Sequence, residues 1–431
     1  MTVALGASRM HPWLNLNGDM ALVGRMTDAG AVELVTSERL TYSPDDELMK
    51  PFLVASPRPY PDLAGRWRDE DVAAFRADAE APSIAEVLAL IVHALDRHME
   101  FPRREHRTLV AVWALATYFF LAFVTFPRLA LSGEPESGKS KLLELLRAFA
   151  WNALLIITPT PAVLFRLAQE FRPTLLLDEM EKLGKEDTRE ILAILNSGYK
   201  VGACVPRVEG ERARHVEPFA VYGPLAFAAI KATNLVTESR CIPLVLLRGV
   251  DKAKINAEVD PNADLFARIR AECYRLLLAR WRDVAAASHA VAFPEWLNGR
   301  ARELWKPLFA LAELADAEGL SLTSDLHALA RRHVRDRQTV STEAEALLPV
   351  LEEQLGAAGE IKVYPGKLAE PLQLRLGWRD LTPETVGGWL RRLGFQRGGK
   401  DREGAWYRIT TQALRDVMTR LAPVIPEDSG A

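Results

Sequence analysis

One eight-residue string constrains the fold of this chain more than any other feature. Gly133 to Ser140 reads Gly-Glu-Pro-Glu-Ser-Gly-Lys-Ser; it follows the apolar run 129–131 and precedes an amphipathic stretch over 141–150. The pattern G-x-x-x-x-G-K-[ST] between a strand and a helix is typical of a phosphate-binding loop, because its glycines let backbone N–H groups approach phosphate oxygens. The string predicts an α/β domain with a buried, mainly parallel sheet.

The residue types in this string predict the ligands. We expect Lys139 to contact the β and γ phosphates of ATP and Ser140 to ligate Mg²⁺. The expected nucleotide-binding residues of the string are Gly133, Glu134, Pro135, Glu136, Ser137, Gly138, Lys139, Ser140 and Lys141.

A pair of carboxylates follows a second apolar run. The segment 174–177 is Thr-Leu-Leu-Leu, and Asp178 and Glu179 come directly after it, 39 residues past Lys139. In open parallel sheets, ligands bind at the carboxyl ends of the strands. We therefore expect Asp178 to complete the Mg²⁺ shell and Glu179 to orient or deprotonate the attacking water of an ATPase.

A third element is Arg240, which directly precedes the apolar run 242–247. A permanently charged, planar guanidinium suits phosphate oxygens, and in oligomeric ATPases such an arginine stabilises the transition state in a neighbour's site. The alternative is that Arg240 caps a strand or pairs with Glu238.

The remaining pattern divides the chain into five regions. Alternating runs before a Pro-rich linker predict a small β-containing region over 1–80, and helical periodicity predicts a prelude over 81–128. A capping box of Ser83 and Glu86 starts the first helix of the prelude, and an apolar helix is expected over 107–126. Strands at 129–132, 153–157, 174–177, 225–230 and 242–247 alternate with helices in a core over 129–250. A helical lid is expected over 251–340. Over 341–431 the pattern is helix, helix, strand, a polar turn over 398–404 and strand, which is the outline of a winged helix.

Composition excludes several classes of protein. Three scattered cysteines without a C-x-x-C pair argue against a disulfide scaffold or zinc ribbon and fit a reducing cytoplasm. A net charge of −3 means that any nucleic-acid surface is local. The uncharged run 109–126 is near the lower limit for a membrane span. Because the phosphate-loop strand follows it at once, we expect a buried core helix and no membrane partner.

From about 105 to 422 the chain resembles the AAA+ helicase-type ATPases of phage and mobile-element primase-helicases. These are close to superfamily 3 helicases and to an associated domain-of-unknown-function family. The strings that carry the resemblance are FPRLALSGEPESGKSKLLELL, TPAVLFRLAQEFRPTLLLDEMEKL, ILNSGYKVGACV, YGPLAFAAI, TESRCIPLVLLR and GRARELWKPLFALAE.

The resemblance implies a ring, commonly hexameric, that moves along single-stranded or forked DNA. It implies a hairpin over 202–222 that projects into the pore, with acids at its tip and basic residues around it; these are Lys200, Arg207, Arg212, Arg214 and His215. It also implies a polar sensor after the strand 225–230, for which we favour Asn234 among Lys231, Thr233 and Asn234. Residues 1–80 are too short for a primase, so a separate chain would supply priming.

A second basic segment lies near the C-terminus. Six basic residues face two acids, Asp401 and Glu403, between 387 and 408, a local charge of +4. A winged helix with this bias would hold DNA phosphates, or would serve only as a protein-interaction lid. The basic residues are Arg391, Arg392, Arg397, Lys400, Arg402 and Arg408.

Two functions remain open from the sequence. The first is an ATP-dependent DNA helicase or translocase in the replication of a phage, plasmid or other mobile element. The second is a nucleotide-switched ATPase that controls partner or DNA assembly, in a defence or loader role, without unwinding.

Overall fold

The structure is a computed structural model. It describes residues 9–16, 18–78, 80–180, 185–209, 215–229, 239–337, 342–376 and 381–421. The chain forms two compact units, Met1–Ala330 and Arg331–Ala431.

The first unit begins with a small antiparallel sheet, as the alternating runs predict. Its strands are β1 (Leu14–Asn15), β2 (Leu22–Met26), β3 (Val32–Thr36) and β4 (Thr41–Tyr42), in that spatial order. Gly30, at a φ of +83°, turns the chain between β2 and β3. Helix α1 (Asp69–Ala77) follows the proline-rich stretch.

Two helices precede the parallel sheet. Helix α2 (Ile84–His98) starts where predicted, since Ser83 Oγ accepts a hydrogen bond from the Glu86 N–H. Helix α3 is Arg104–Ala116, and the chain then continues as a 3₁₀ turn over Thr117–Ala122, so the single long helix predicted over 107–126 is wrong.

The shortening of α3 has a local cause. The Thr117 hydroxyl donates to the Ala114 carbonyl at 2.5 Å and accepts from the Trp151 N–H at 3.0 Å, which tightens the last turn. Residues 109–120 are all buried, as expected of a core segment. Within the described residues, none of the helices combines the length and apolarity needed to cross a membrane.

The core is a five-stranded parallel sheet. Along the chain come β5 (Arg128–Ser132), α4 (Lys139–Phe149), β6 (Leu154–Ile157), α5 (Pro161–Phe171), β7 (Leu175–Asp178) and α6 (Lys185–Ser197). An antiparallel hairpin of β8 (Cys204–Glu209) and β9 (His215–Ala220) precedes β10 (Leu225–Ala229) and β11 (Cys241–Val245). The strand order is β11-β5-β10-β7-β6. The five predicted strands are confirmed within two residues at each end, and the fold is mixed α/β, consistent with a P-loop NTPase.

Helices follow the sheet. They are α7 (Lys252–Asn256), α8 (Asp264–Ala290), α9 (Gly299–Ala317) and α10 (Thr323–Arg337), and the last of these begins in the first unit and ends in the second. Buried aromatic rings join α8 to the sheet domain: the Tyr274 ring lies 5.4 Å from Tyr118 and 5.5 Å from Trp151, and its hydroxyl donates to Asn152 Oδ1 at 2.6 Å.

The second unit has its own core. Its elements are α11 (Thr342–Leu355), β12 (Glu360–Val363), α12 (Pro365–Leu376), α13 (Pro383–Arg392), β13 (Gln396–Asp401), β14 (Gly404–Thr410) and α14 (Thr411–Leu421). The strands pair in the order β12-β14-β13 around buried residues that include Leu351, Leu368 and Trp389.

The C-terminal hairpin is longer than predicted. The sequence pattern assigned 398–404 to a polar turn, whereas β13 continues through Asp401 and the turn is limited to 402–403. Gly398 is needed within the strand, because a Cβ there would overlap the Trp406 ring. The prediction also omitted β12, α12 and α14.

Candidate functional site

The Gly133–Ser140 loop has the backbone conformation that its glycines predict. Gly133 has a φ of +150° and Gly138 a φ of +88°, values at which other residues are strained. A Cβ on Gly133 would overlap the Leu246 carbonyl oxygen and lie 2.6 Å from Ser137 Oγ. Gly138 is the N-cap of α4, so the first N–H groups of this helix open toward the loop. The loop therefore fits a phosphate group.

The Lys139 ammonium lies against its own loop. Nζ donates to the Gly133 carbonyl at 2.6 Å and to the Glu134 carbonyl at 2.9 Å, and lies 3.4 Å from Ser137 Oγ. Carbonyl oxygens hold the charge at the centre of the loop, where phosphate oxygens would compete for the same donor.

A cavity of about 310 Å³ lies over the loop. One side is formed by residues of the predicted string. The other side was not predicted, and its residues are His98, Met99, Glu100, Leu247, Gly249, Lys254 and Ile255. Of the predicted nucleotide-binding residues, Glu136 to Lys141 line the cavity, and Gly133, Glu134 and Pro135 do not.

Asp178 and Glu179 lie at the carboxyl edge of the sheet. Leu177 on β7 is level with Phe227 on β10, which is level with Ala130 on β5, so one strand separates the acids from the loop strand. Neighbouring strands are about 4.8 Å apart, which places the ends of β5 and β7 roughly 10 Å from each other. Oxygen ligands at that separation would be able to share a Mg²⁺ ion and phosphates bound between them. Neither acid lines the cavity over the loop.

The backbone has an unusual conformation at the two acids. Asp178 Oδ1 accepts the Glu179 N–H at 2.8 Å, and Glu179 has a φ of +55°, which is uncommon outside glycine. The chain therefore turns directly after β7, at the second of the two acids.

Arg240 lies at the opposite end of the parallel strands, at their amino ends. Cys241 pairs with Arg128 and Val245 with Ser132, so Arg240 is at the amino end of β11, and its carbonyl accepts the Arg128 N–H. Five residues of strand separate it from the carboxyl edge, or roughly 16 Å at about 3.3 Å per residue. Arg240 is therefore placed away from the phosphate loop of its own chain. Its guanidinium lies 5.5 Å from the centre of the Tyr199 ring and donates to Ser239 Oγ at 3.3 Å.

The described basic residues around the β8–β9 hairpin each contact an acid. Lys200 Nζ lies 3.2 Å from Glu303, and His215 Nε2 lies 3.5 Å from Glu217. Arg207 pairs with Glu190, and its guanidinium lies 4.9 Å from the centre of the Phe165 ring. The pairs of Lys200 and Arg207 reduce the net positive charge that the hairpin presents. Arg212, Arg214 and the sensor candidate Asn234 lie outside the described residues, as does Glu238, the alternative partner of Arg240.

One ion pair at the loop was missed from the sequence. Arg248, three residues past β11, lies 2.7 Å from Glu136 of the loop, and both side chains are largely exposed. No sequence pattern singles out Arg248, because its approach to Glu136 depends on β11 lying beside β5.

The basic residues of the C-terminal unit are exposed. Arg408 lies 3.2 Å from Glu360, and the Arg391 Nε donates to the Gly387 carbonyl at 3.3 Å. The two acids of the hairpin are held by neighbours, since Tyr364 donates to Asp401 at 2.8 Å and Lys367 pairs with Glu403 at 2.6 Å. The exposed cations are Arg391, Arg392, Arg397, Lys400 and Arg402.

Comparison with known proteins gives distant similarities. No known protein family matches the chain, and no curated protein matches it. The structure described as the SCCmec type IV Cch active helicase is 13% identical, covers 81% of this chain and 71% of its own, and has a TM-score of 0.41. The apo A form of the NrS-1 C-terminal region is 11% identical, covers 77% of this chain and 76% of its own, and has a TM-score of 0.36. Neither similarity assigns a role to any residue of this chain.

Proposed function

We propose that this chain is an ATP-dependent DNA helicase or translocase of the AAA+ type, related to the primase-helicase ATPases of phages and mobile elements. The observation that carries the proposal is the arrangement of the Gly133–Ser140 loop and Asp178-Glu179 at the carboxyl ends of two parallel strands with a single strand between them. Its biological role is replication of a phage, plasmid or other mobile element.

The roles of the site residues follow from their positions. Bound Mg²⁺ would neutralise phosphate charge, with Ser140 and Asp178 as its protein ligands. Lys139 exchanges the loop carbonyls for β and γ phosphate oxygens. Glu179, one residue past the proposed metal ligand Asp178, accepts the proton of the attacking water or orients that water.

The placement of Arg240 supports the proposal that the chain forms a ring. A guanidinium at the amino edge of the sheet is too far from its own phosphate loop to act there, so a phosphate contact requires a second copy of the chain. The proposed assembly is a homo-oligomer, with the hexamer of the resembling ATPases as the expected form.

The second unit is proposed to be a winged helix that binds DNA. Its order of helix, strand, helix, helix, strand and strand supports this assignment, as do the exposed cations on α13 and β13. Contacts from these cations to phosphates would hold duplex or forked DNA without reading its sequence.

A nucleotide-switched assembly ATPase without unwinding is the second candidate. It is favoured by one observation: the described hairpin cations Lys200 and Arg207 are each matched by an acid, which weakens their attraction for a DNA backbone.

A paired assay separates the two functions. Steady-state ATP hydrolysis is measured with and without single-stranded DNA, and strand separation is measured on a forked duplex. The helicase proposal expects hydrolysis to rise with single-stranded DNA and the fork to open only with ATP. Hydrolysis that ignores DNA, together with an intact fork, supports the assembly ATPase instead.

A further inference from the structure

A carboxylate contacts the unpredicted side of the cavity. Glu100 Oε2 accepts the Val250 N–H at 2.8 Å and the Asp251 N–H at 3.0 Å. These two N–H groups lower the pKa of the Glu100 carboxyl, because they stabilise its charged form. Glu100 lies in the connection between α2 and α3, and Val250 and Asp251 lie between β11 and α7.

The approach of this carboxylate depends on Gly249. A Cβ at that position would lie 3.3 Å from Glu100 Oε2 and 3.5 Å from Ile255 Cγ1. The backbone of Gly249 thus leaves room for the carboxylate to reach the next two N–H groups.

A second contact fixes the other end of the same segment. Lys141 Nζ, in the first turn of α4, donates to the Lys254 carbonyl at 2.5 Å and to the Ile255 carbonyl at 3.0 Å. The segment 249–256 is therefore attached at its start by Glu100 and at its end by a residue of the phosphate-loop helix. We name residues 249–256 the wall segment.

The Glu100 connection also contacts the loop directly. Met99, which precedes Glu100, is buried and lies 3.4 Å from the position of a Cβ on Gly138. Phosphates in the loop would occupy the part of the cavity lined by Glu136 to Lys141, and the nucleoside of the same ligand would then extend along the remaining lining. That lining consists of His98, Met99, Glu100, Leu247 and three residues of the wall segment, Gly249, Lys254 and Ile255.

We infer that Glu100 is a positioning residue for the nucleoside half of the nucleotide, acting by holding the wall segment against the cavity, with Lys141 securing the segment's other end. This inference rests on the proposed function, since it assumes that the loop binds a nucleoside triphosphate. It changes the role expected for Lys141 from a phosphate ligand to a contact between α4 and the wall segment.

The test compares a nucleotide with its phosphate part alone. Binding of ATP and of inorganic triphosphate, each with Mg²⁺, is measured by calorimetry for the full chain and for Glu100→Ala. We expect Glu100→Ala to weaken ATP binding roughly tenfold or more while triphosphate binding changes by less than about twofold. Glu100→Gln keeps an acceptor oxygen at the same place and is expected to retain most of the ATP affinity.

A matched control is Asp46→Ala. Asp46 Oδ1 also accepts a backbone N–H, from Leu48 at 2.8 Å, at an exposed site in the small antiparallel region. We expect it to bind both ligands as the unmodified chain does, and thermal unfolding establishes that each variant is folded.

Three results overturn the inference. If Glu100→Ala weakens ATP binding and triphosphate binding equally, the variant disturbs the phosphate loop and not the nucleoside contacts. Unchanged ATP binding would show that the wall segment does not depend on Glu100. An unmodified chain that binds triphosphate as tightly as ATP would show that the nucleoside gains nothing from the cavity. If the unmodified chain binds neither ligand, the proposed function itself fails.

Discussion

We expect the replacement of Gly133 by alanine to destabilise the phosphate loop, through both its backbone conformation and an overlap of the new Cβ with its neighbours. Gly133 has a φ of +150°, and an added Cβ would overlap the Leu246 carbonyl oxygen and lie 2.6 Å from Ser137 Oγ. The backbone conformation alone costs a non-glycine residue about 1–3 kcal/mol. The overlap is with backbone, which cannot rotate away, so the loop must move.

Gly30 provides the control for this variant. Its φ of +83° imposes a comparable backbone cost on alanine, yet nothing lies within 4 Å of the added Cβ. We expect both variants to unfold at lower temperature, by an amount equivalent to about 1–3 kcal/mol. Only Gly133→Ala should lose ATP affinity, by about tenfold or more, because a shifted loop no longer aims its N–H groups at the phosphates.

The assay is a thermal unfolding curve for each variant together with an ATP binding isotherm. If Gly133→Ala binds ATP as the unmodified chain does, the loop is not the phosphate site. If Gly30→Ala loses ATP affinity equally, general destabilisation explains the loss in both variants, and crowding around Gly133 does not.

Two further predictions concern Arg240 and His11. Arg240→Ala should bind nucleotide normally and hydrolyse it about a thousandfold more slowly. Mixing this variant with Lys139→Ala should restore some hydrolysis. If subunits exchange and hydrolysis does not recover, Arg240 does not act in the neighbouring site. Burial and, to a lesser extent, the charge of Arg172 lower the pKa of His11 to about 3, from 6.5. Below pH 6.5 the folded state therefore binds fewer protons than the unfolded state. The contribution of the neutral His11 to the free energy of unfolding is complete above that pH. It is lost as the pH falls toward 3, by at most about 1.4 kcal/mol per pH unit. Unfolding temperatures between pH 7 and 5 should fall less steeply in His11→Gln, and equal slopes would contradict the assignment.

The sheet was predictable because its sequence signals are local. Short apolar runs alternating with amphipathic stretches mark each strand, and Thr160 before Pro161 marks the start of α5, where the Thr160 hydroxyl accepts the Val163 N–H. The end of α3 was not predictable, because the hydrogen bond from the Trp151 N–H to Thr117 joins residues 34 positions apart.

The candidate site likewise has one side that was predictable from the sequence and one that was not. Its phosphate side is one contiguous string, and Asp178 with Glu179 end a recognisable strand. The other side comes from 98–100 and 247–255, which meet only after the chain has folded. Neither segment has a motif, and the hydrogen bonds between them involve backbone N–H groups, which every residue except proline carries. The β8–β9 hairpin was predicted, whereas the acidic partners of its cations come from α6, α9 and β9 and were not.

The proposed ATPase function requires that Lys139 binds the nucleotide and that Glu179 activates water for its hydrolysis. Both roles are tested by measuring ATP binding and phosphate release for Lys139→Ala and Glu179→Gln. We expect Lys139→Ala to lose tight binding, and Glu179→Gln to bind ATP but fail to turn it over. Normal turnover by the Glu179→Gln variant would show that Glu179 does not activate the water.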